Sequence, residues 1–87
     1  MVTEDYSKML LWAAREQMAL SRLAAVVEDE DERALFYRSN FSKTEGMRET
    51  IAVAYRMDEE AVRHDVDVVE GTLRELERER KAEEDAA

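Results

Sequence analysis

The stretch that decides the fold is residues 6–27, YSKMLLWAAREQMALSRLAAVV, in which fifteen of twenty-two residues are apolar and four are charged. At 100° per residue, most of its large apolar side chains fall in one broad arc of a helix. A narrow basic stripe lies opposite that arc, flanked by a second apolar strip. One partner helix cannot cover both apolar strips. The arc contains Tyr6, Met9, Leu10, Trp12, Ala13, Leu20, Leu23, Ala24 and Val27, the stripe Lys8, Arg15 and Arg22, and the second strip Leu11, Met18 and Ala25.

The composition indicates a single all-helical domain spanning residues 1–87. The chain has no proline, no cysteine and only two glycines, and it lacks the turn residues that strands require. Without cysteine it cannot form disulfides or thiolate metal sites. A chain of this size buries only about 60% of its unfolded surface, so we expect a thin core that association would help to complete.

The net charge of −9 opposes attraction to nucleic acid and to anionic membranes. Arg15, Glu16 and Arg22 interrupt the only apolar stretch that approaches the length of a membrane span. Glu4 and Asp5 occupy the N-terminal region where a signal peptide would be basic. We therefore expect a soluble, cytoplasmic protein that contacts neither membrane nor nucleic acid.

The boundary signals predict three helices at about 4–27, 31–57 and 58–82, followed by a frayed acidic C-terminus at 83–87. Thr3 is a candidate N-cap for the first helix. The five consecutive acids at 28–32 predict a solvated loop that also starts the second helix. A calcium or magnesium site is the alternative interpretation of this run, but the run lacks the glycine and the spaced ligands of a known metal-binding loop.

The second helix contains an ambiguous segment at residues 39–47. The sequence from Ser42 to Glu45 matches a capping box, which would start a new helix. Against this, the apolar phase does not shift across Gly46, so we predict one long helix, bent at that glycine and closely approached there by another helix. The residues that keep the phase are Phe36, Tyr37, Phe41, Met47, Ile51, Ala54 and Tyr55.

The third helix has the clearest start. Asp58 is a candidate N-cap, and Met57 and Val62 have the spacing of a hydrophobic staple. A coiled-coil type seam follows, with apolar residues spaced four and three apart. Residues 33–57 carry a net charge of +3 and residues 58–87 one of −7, which predicts a hairpin of helices 2 and 3. The seam residues are Val62, Val66, Val69, Leu73 and Leu76.

The expected fold is an elongated antiparallel three-helix bundle of long helices with coiled-coil-like packing. Two apolar strips on helix 1 and a wide arc on helix 2 exceed what a three-helix monomer readily buries. We therefore expect homodimerisation through helices 1 and 2. The candidate interface residues are Met9, Leu11, Trp12, Met18, Phe36, Tyr37 and Phe41.

Polar side chains are predicted to meet in a layer between helices 1 and 2. Glu16 lies inside the large arc of helix 1, and in an antiparallel hairpin it falls opposite Thr44 and near Arg48. We expect a Glu16–Arg48 pair, with Trp12 stacked on the guanidinium, that fixes the register of the two helices. A ligand pocket is the alternative. The candidate layer consists of Glu16, Gln17, Asn40, Thr44 and Arg48.

No motif dictates a reaction, and we assign no catalytic residue, metal ligand or cofactor. His64 is the only histidine, which excludes a two-histidine zinc site within one chain. The spacing of Ile51, Met57 and Val62 resembles part of a helix-turn-helix pattern, but Arg56 stands where that motif usually has glycine. Its reading helix would also begin with three acids facing phosphates.

These observations predict a small non-enzymatic protein–protein interaction or adaptor module that forms a homodimer and also binds an unidentified protein partner. The first alternative is an acidic inhibitor that mimics nucleic acid, with residues 28–32 and the acidic face of helix 3 in place of phosphates. The second alternative is a transcription regulator of helix-turn-helix type.

Overall fold

A computed structural model describes residues 4–86 of the chain and consists of three helices. Helix α1 spans Glu4–Ala25, α2 spans Glu30–Tyr55 and α3 spans Glu59–Ala86. All three helices pack against one another, and the described residues contain no strand. The all-helical fold class is therefore confirmed, while the predicted cap at Thr3 and the last residue, Ala87, lie outside the described residues.

The acidic run forms the connection between α1 and α2 and starts α2, as predicted. Asp29 is the N-cap of α2, and its side chain accepts a hydrogen bond from the backbone N–H of Glu32 at 2.9 Å. Glu30, Asp31 and Glu32 occupy the first turn, where the helix dipole favours negative charge. The run therefore caps the helix with its own side chains.

Helix α2 continues without interruption through residues 39–47, as the unbroken apolar phase predicts. Thr44 does not cap a new helix; its hydroxyl donates to the carbonyl oxygen of Phe41 in the preceding turn. The predicted close approach of another helix at Gly46 is wrong, because Gly46 is exposed and no atom lies within 4 Å of where its Cβ would stand.

The turn between α2 and α3 places Arg56 in the left-handed region, with φ 53° and ψ 48°. The backbone N–H of Arg56 donates to the carbonyl of Val53, and that of Met57 donates to the carbonyl of Ala52. This pair of hydrogen bonds around a left-handed residue is a common way to end an α-helix. The left-handed residue is usually glycine. Met57 packs against the same core that buries Val62, which is consistent with the predicted staple.

The apolar core lies at the end of the molecule where α2 and α3 are joined. It combines the N-terminal half of α1 with the C-terminal half of α2 and the N-terminal half of α3. The Tyr6 ring packs edge-on against Tyr55 with centroids 5.3 Å apart, and its hydroxyl donates to Asp65 at 2.6 Å. The buried core residues are Tyr6, Leu10, Ala13, Ala14, Met47, Ile51, Ala52, Val62 and Val66.

The molecule is flat and broad, so the predicted elongated shape is wrong. Its principal extents are 41 × 39 × 15 Å. Helices of this length measure about 33 to 42 Å, so two long dimensions require axes that diverge. The 15 Å thickness corresponds to about two helix layers. We call this arrangement the fan, with its closed end at the core and its open end where α2 and α3 separate.

Helix α1 makes polar contacts with both α2 and α3, whereas the sequence predicted charge pairing between α2 and α3 themselves. Asn40 of α2 donates to the Leu20 carbonyl at 3.0 Å, and Gln17 donates to Glu70 of α3 at 3.1 Å. Among residues 4–86, no hydrogen bond or ion pair joins α2 to α3. The predicted charge pairing of helices 2 and 3 is therefore absent from the described part of the chain.

Two segments at the open end are covered least. The N-terminal half of α2 exposes its large apolar side chains, and α3 is exposed along most of its length after Glu70. The predicted seam of α3 is buried at Val62 and Val66 but 54% exposed at Leu76. Where the sequence predicted a frayed end at 83–87, residues 83–86 continue the helix, which is rich in strong helix formers. No helix among the described residues is apolar enough over 18 residues to cross a membrane.

Candidate interaction cleft

A cleft of about 390 Å³ opens between the diverging helices, with α1 as its floor. Its walls mix aromatic, neutral polar and charged side chains of both signs. Because α2 and α3 separate only beyond the core, the cleft is a direct consequence of the fan. Its lining residues are Gln17, Leu20 and Ser21 of α1, Tyr37, Asn40, Phe41, Thr44 and Arg48 of α2, and Arg63, Asp67 and Glu70 of α3.

A single amide, that of Gln17, links the three helices at the floor of the cleft. Its Oε1 accepts from Nη1 of Arg48 at 2.7 Å, and its Nε2 donates to Oε1 of Glu70 at 3.1 Å. The second oxygen of Glu70 accepts from Arg74 at 3.3 Å. Glu70 is thus engaged by α1 and by its own helix, and Gln17 holds α2 and α3 to α1 at the same level.

Arg48 carries a buried charge that no carboxylate among residues 4–86 neutralises. Arg48 is only 6% exposed. Among residues 4–86, no carboxylate oxygen lies within 4.0 Å of its guanidinium nitrogens. Its Nε is buried and has no hydrogen-bond partner. Buried charges in folded proteins are normally paired, so this guanidinium is left in an unfavourable environment.

A second arginine lines the opposite wall. Arg63 of α3 is half-buried, and its Nε also lies buried without a hydrogen-bond partner. Its Nη1 lies 4.0 Å from Glu60 one turn earlier, at the outer limit of an ion pair. Arg48 and Arg63 therefore present positive charge from both walls, while Asp67 and Glu70 supply negative charge on the α3 side.

Four of the five predicted polar-layer residues line this cleft, but the predicted pairing is wrong. Arg48 bonds to Gln17, whereas Glu16 is half-buried, does not line the cleft and makes no ion pair with Arg48. Trp12 is 44% exposed, and no stacking contact joins it to Arg48. The reason is that α1 packs against two helices, so its buried face is turned toward the second apolar strip and away from Trp12.

The predicted interface residues divide between core and surface. Met18 is buried, and it lines a hollow between α1 and α3 together with Leu73 and Leu76; Met9 and Leu11 are half-buried. The three predicted aromatic residues in the N-terminal half of α2 stay outside the core, and two of them line the cleft. Their exposed fractions are 46% for Phe36, 50% for Tyr37 and 58% for Phe41.

An acidic cluster at the α2–α3 junction was not identified from the sequence. One carboxylate oxygen from each of Glu45, Glu49 and Glu59 lies within 4.8 Å of the others. The three residues come from two helices, so no local spacing could have indicated them. Exposed acidic groups of this kind are common without a bound ion, and the cluster by itself does not define a metal site.

Two further contacts between α1 and α3 carry shifted pKa values. Burial, together with the hydrogen bond to Asp65, raises the pKa of the Tyr6 hydroxyl well above its usual value. At the surface, the hydrogen bond from Arg22 lowers the pKa of Glu77. The single histidine, His64, is exposed on α3. The Tyr6–Asp65 contact at the core and the Arg22–Glu77 contact nearer the open end hold α3 along α1.

Comparisons of the chain with protein-family models, with curated proteins and with solved structures give no significant match.

Proposed function

We propose that this protein is a small non-enzymatic interaction module that binds a second copy of itself through the open end of the fan. The observation that carries the proposal is the surface of α2 at residues 33–43, RALFYRSNFSK, which we call the aromatic segment. It contains three basic residues, no acidic residue and four large apolar side chains that are between 46% and 62% exposed.

Such a density of exposed apolar groups favours an interface over a solvated face. Single exposed apolar residues are normal in soluble proteins, but contiguous patches usually mark sites of association. Tyrosine, phenylalanine and arginine are also the residue types enriched at protein–protein interfaces. Leu35, Phe36, Tyr37 and Phe41 lie within two turns of one helix, flanked by Arg33 and Arg38.

The small core supports the same proposal. The fully buried side chains of appreciable size are Ile51, Val62 and Val66, all at the closed end. A second copy seated on the open end would extend apolar burial along the exposed halves of α2 and α3. We also propose that consecutive helices run antiparallel, because Asn40 bonds at the level of Leu20 while Arg48 bonds at the level of Gln17.

An acidic inhibitor that mimics nucleic acid is the second candidate. All five acids at residues 28–32 are exposed, which is what a phosphate mimic would require. This function predicts a basic partner protein and an affinity that falls steeply with salt. It does not account for the aromatic segment, and we therefore place it second.

Sedimentation equilibrium of wild type and two variants tests the proposal. We expect Phe41→Ala to weaken the dimer by about tenfold or more, because an aromatic anchor at an interface commonly contributes over 1 kcal/mol. The matched control is Val53→Ala, which truncates an 81% exposed side chain on the same helix at the closed end. A wild-type chain that stays monomeric at high micromolar concentration would contradict the proposal, as would equal weakening by both variants.

A further inference from the structure

The buried positive charge of Arg48 indicates which chemical group would bind in the cleft. Among the described residues, Arg48 donates to a neutral amide, that of Gln17, and the cleft acid Glu70 is already engaged by Gln17 and Arg74. Guanidinium groups present five N–H donors and pair best with carboxylates or phosphates. An anion that entered the cleft would therefore supply the negative charge that Arg48 lacks among the described residues.

The walls beside Arg48 indicate that this anion is attached to a larger group. Tyr37 and Phe41 line the same cleft and are about half exposed. A free inorganic anion would leave both rings in water, whereas a helix carrying an acid beside aliphatic groups would cover them. The cleft thus fits an acidic helix with some apolar surface.

The chain itself contains such a helix in its least covered segment. After Glu70, α3 is exposed along most of its length, and residues 75–86 hold six acidic and three basic side chains. Leu76, at the start of this segment, is 54% exposed. The aromatic segment of α2 has the opposite charge sign, with three basic residues and no acidic one.

Among the described residues, no hydrogen bond or ion pair joins these two complementary segments within one copy. In a two-fold dimer, each copy carries both segments. The acidic segment of each copy can then contact the aromatic segment of the other, so the same contact forms twice. We propose that the C-terminal half of α3 from a second copy lies along the aromatic segment and places a carboxylate on Arg48. This inference rests on the proposed self-association and names the segment and the charge that complete the site.

Two variants, each with a matched control, test the proposed contact by sedimentation equilibrium of the full chain. Arg48→Met removes the buried charge, and its control is Arg38→Met at an exposed position on the same helix. The triple substitution Glu75→Gln, Glu79→Gln and Glu83→Gln removes three exposed acids along one row of α3. Its control makes the same change in charge at Glu28, Glu30 and Glu32.

We expect Arg48→Met and the α3 triple variant each to raise the dimer dissociation constant about tenfold or more. Removing one partner of a buried charge pair at an interface typically weakens binding by at least that factor. We also expect the triple substitution to have little further effect in the R48M background, because the two changes remove the same contact. The dissociation constants of the two control variants should stay within about twofold of the wild-type value, because exposed charges have modest effects.

The outcomes separate this inference from the proposed function. If Phe41→Ala weakens the dimer while Arg48→Met leaves it unchanged or tighter, self-association stands and the role of Arg48 is wrong. If wild type is monomeric throughout, both proposals fail. Circular dichroism at a concentration below the dissociation constant should show that Arg48→Met keeps the helical fold, so that its effect on the dimer can be attributed to the proposed contact. The triple variant changes only exposed residues, so it tests the contact even if Arg48→Met does not fold.

Discussion

The closed and open ends of the fan use the same three helices in opposite ways. At the closed end, Ile51, Val62 and Val66 are at most 1% exposed and their neighbours are apolar. At the open end, Tyr37 and Phe41 are half exposed and line a cleft with the buried Arg48, which has no acidic partner in the described part of the chain. The comparison indicates that the apolar core depends on the closed end, and it is consistent with our proposal that the open end binds a second copy.

The largest expected effect is the loss of stability when the closed end is truncated. Replacing Ile51 with alanine should lower the free energy of unfolding by about 2 to 5 kcal/mol, since the substitution removes buried methyl groups and leaves a cavity. Leu35→Ala, at a 62% exposed site on the same helix, is the control and should change it by less than about 0.5 kcal/mol. Urea denaturation at low protein concentration measures both values, and equal losses would refute the division into two ends.

The next effect concerns the amide that joins the two ends. Gln17→Ala should lower the free energy of unfolding by about 1 to 3 kcal/mol, because Arg48 loses its acceptor and Glu70 loses a donor. Ser21→Ala changes a neighbouring cleft residue that makes no hydrogen bond through its side chain among the described contacts, and it should be close to neutral. If Ser21→Ala proved as damaging as Gln17→Ala in urea denaturation, the junction assigned to Gln17 would be wrong.

A third prediction uses pH to probe the closed end. The pKa of Tyr6 is raised by burial and by its bond to Asp65, so the folded chain keeps this hydroxyl neutral at pH values where an unfolded tyrosine ionises. Its contribution to stability is therefore full below about pH 10 and is lost as the pH rises from there toward the folded-state pKa. Melting temperatures measured across this range should fall less steeply for Tyr6→Phe than for wild type.

The control for the pH experiment is Tyr37→Phe, which alters a half-exposed tyrosine at the open end. It should leave the alkaline slope of the wild-type chain unchanged. A slope altered equally by both substitutions would mean that the buried Tyr6 hydroxyl is not the group responsible.

The smallest effect is a gain of stability at a position that neither end uses. Gly46→Ala should raise the free energy of unfolding by up to about 1 kcal/mol, because alanine favours the helix and its Cβ would meet no atom within 4 Å. Ser42→Ala, one turn earlier at another exposed site, should give a smaller gain. A loss of stability on Gly46→Ala, seen in the same urea titration, would show that another helix does approach there.

The sequence predicted what depends on local chemistry. The three helices, the acidic loop that also starts α2 and the continuity of α2 across Gly46 follow from propensity, charge and apolar phase. It also indicated that Gln17, Asn40, Thr44 and Arg48 lie near one another, and these four residues line the same cleft. These properties belong to single helices or to simple pairs.

What the sequence did not predict depends on the angles between helices. The fan arises from side-chain packing between helix surfaces, which apolar spacing alone does not determine. In that geometry, the buried face of α1 is turned away from Trp12. Arg48 donates its hydrogen bond to Gln17 and does not pair with Glu16. The same geometry also gathered Glu45, Glu49 and Glu59 from two helices into a cluster that no spacing rule could indicate.

Isotope-filtered nuclear Overhauser spectroscopy on a mixture of labelled and unlabelled chains detects only contacts between copies. It is therefore the most direct test of the proposed contact between α3 of one copy and the aromatic segment of the other. We expect intermolecular signals from the rings of Tyr37 and Phe41 to the second half of α3, including Leu76. Intermolecular signals confined to the closed end, for example at Val53, or their complete absence at high micromolar concentration would contradict the proposed contact.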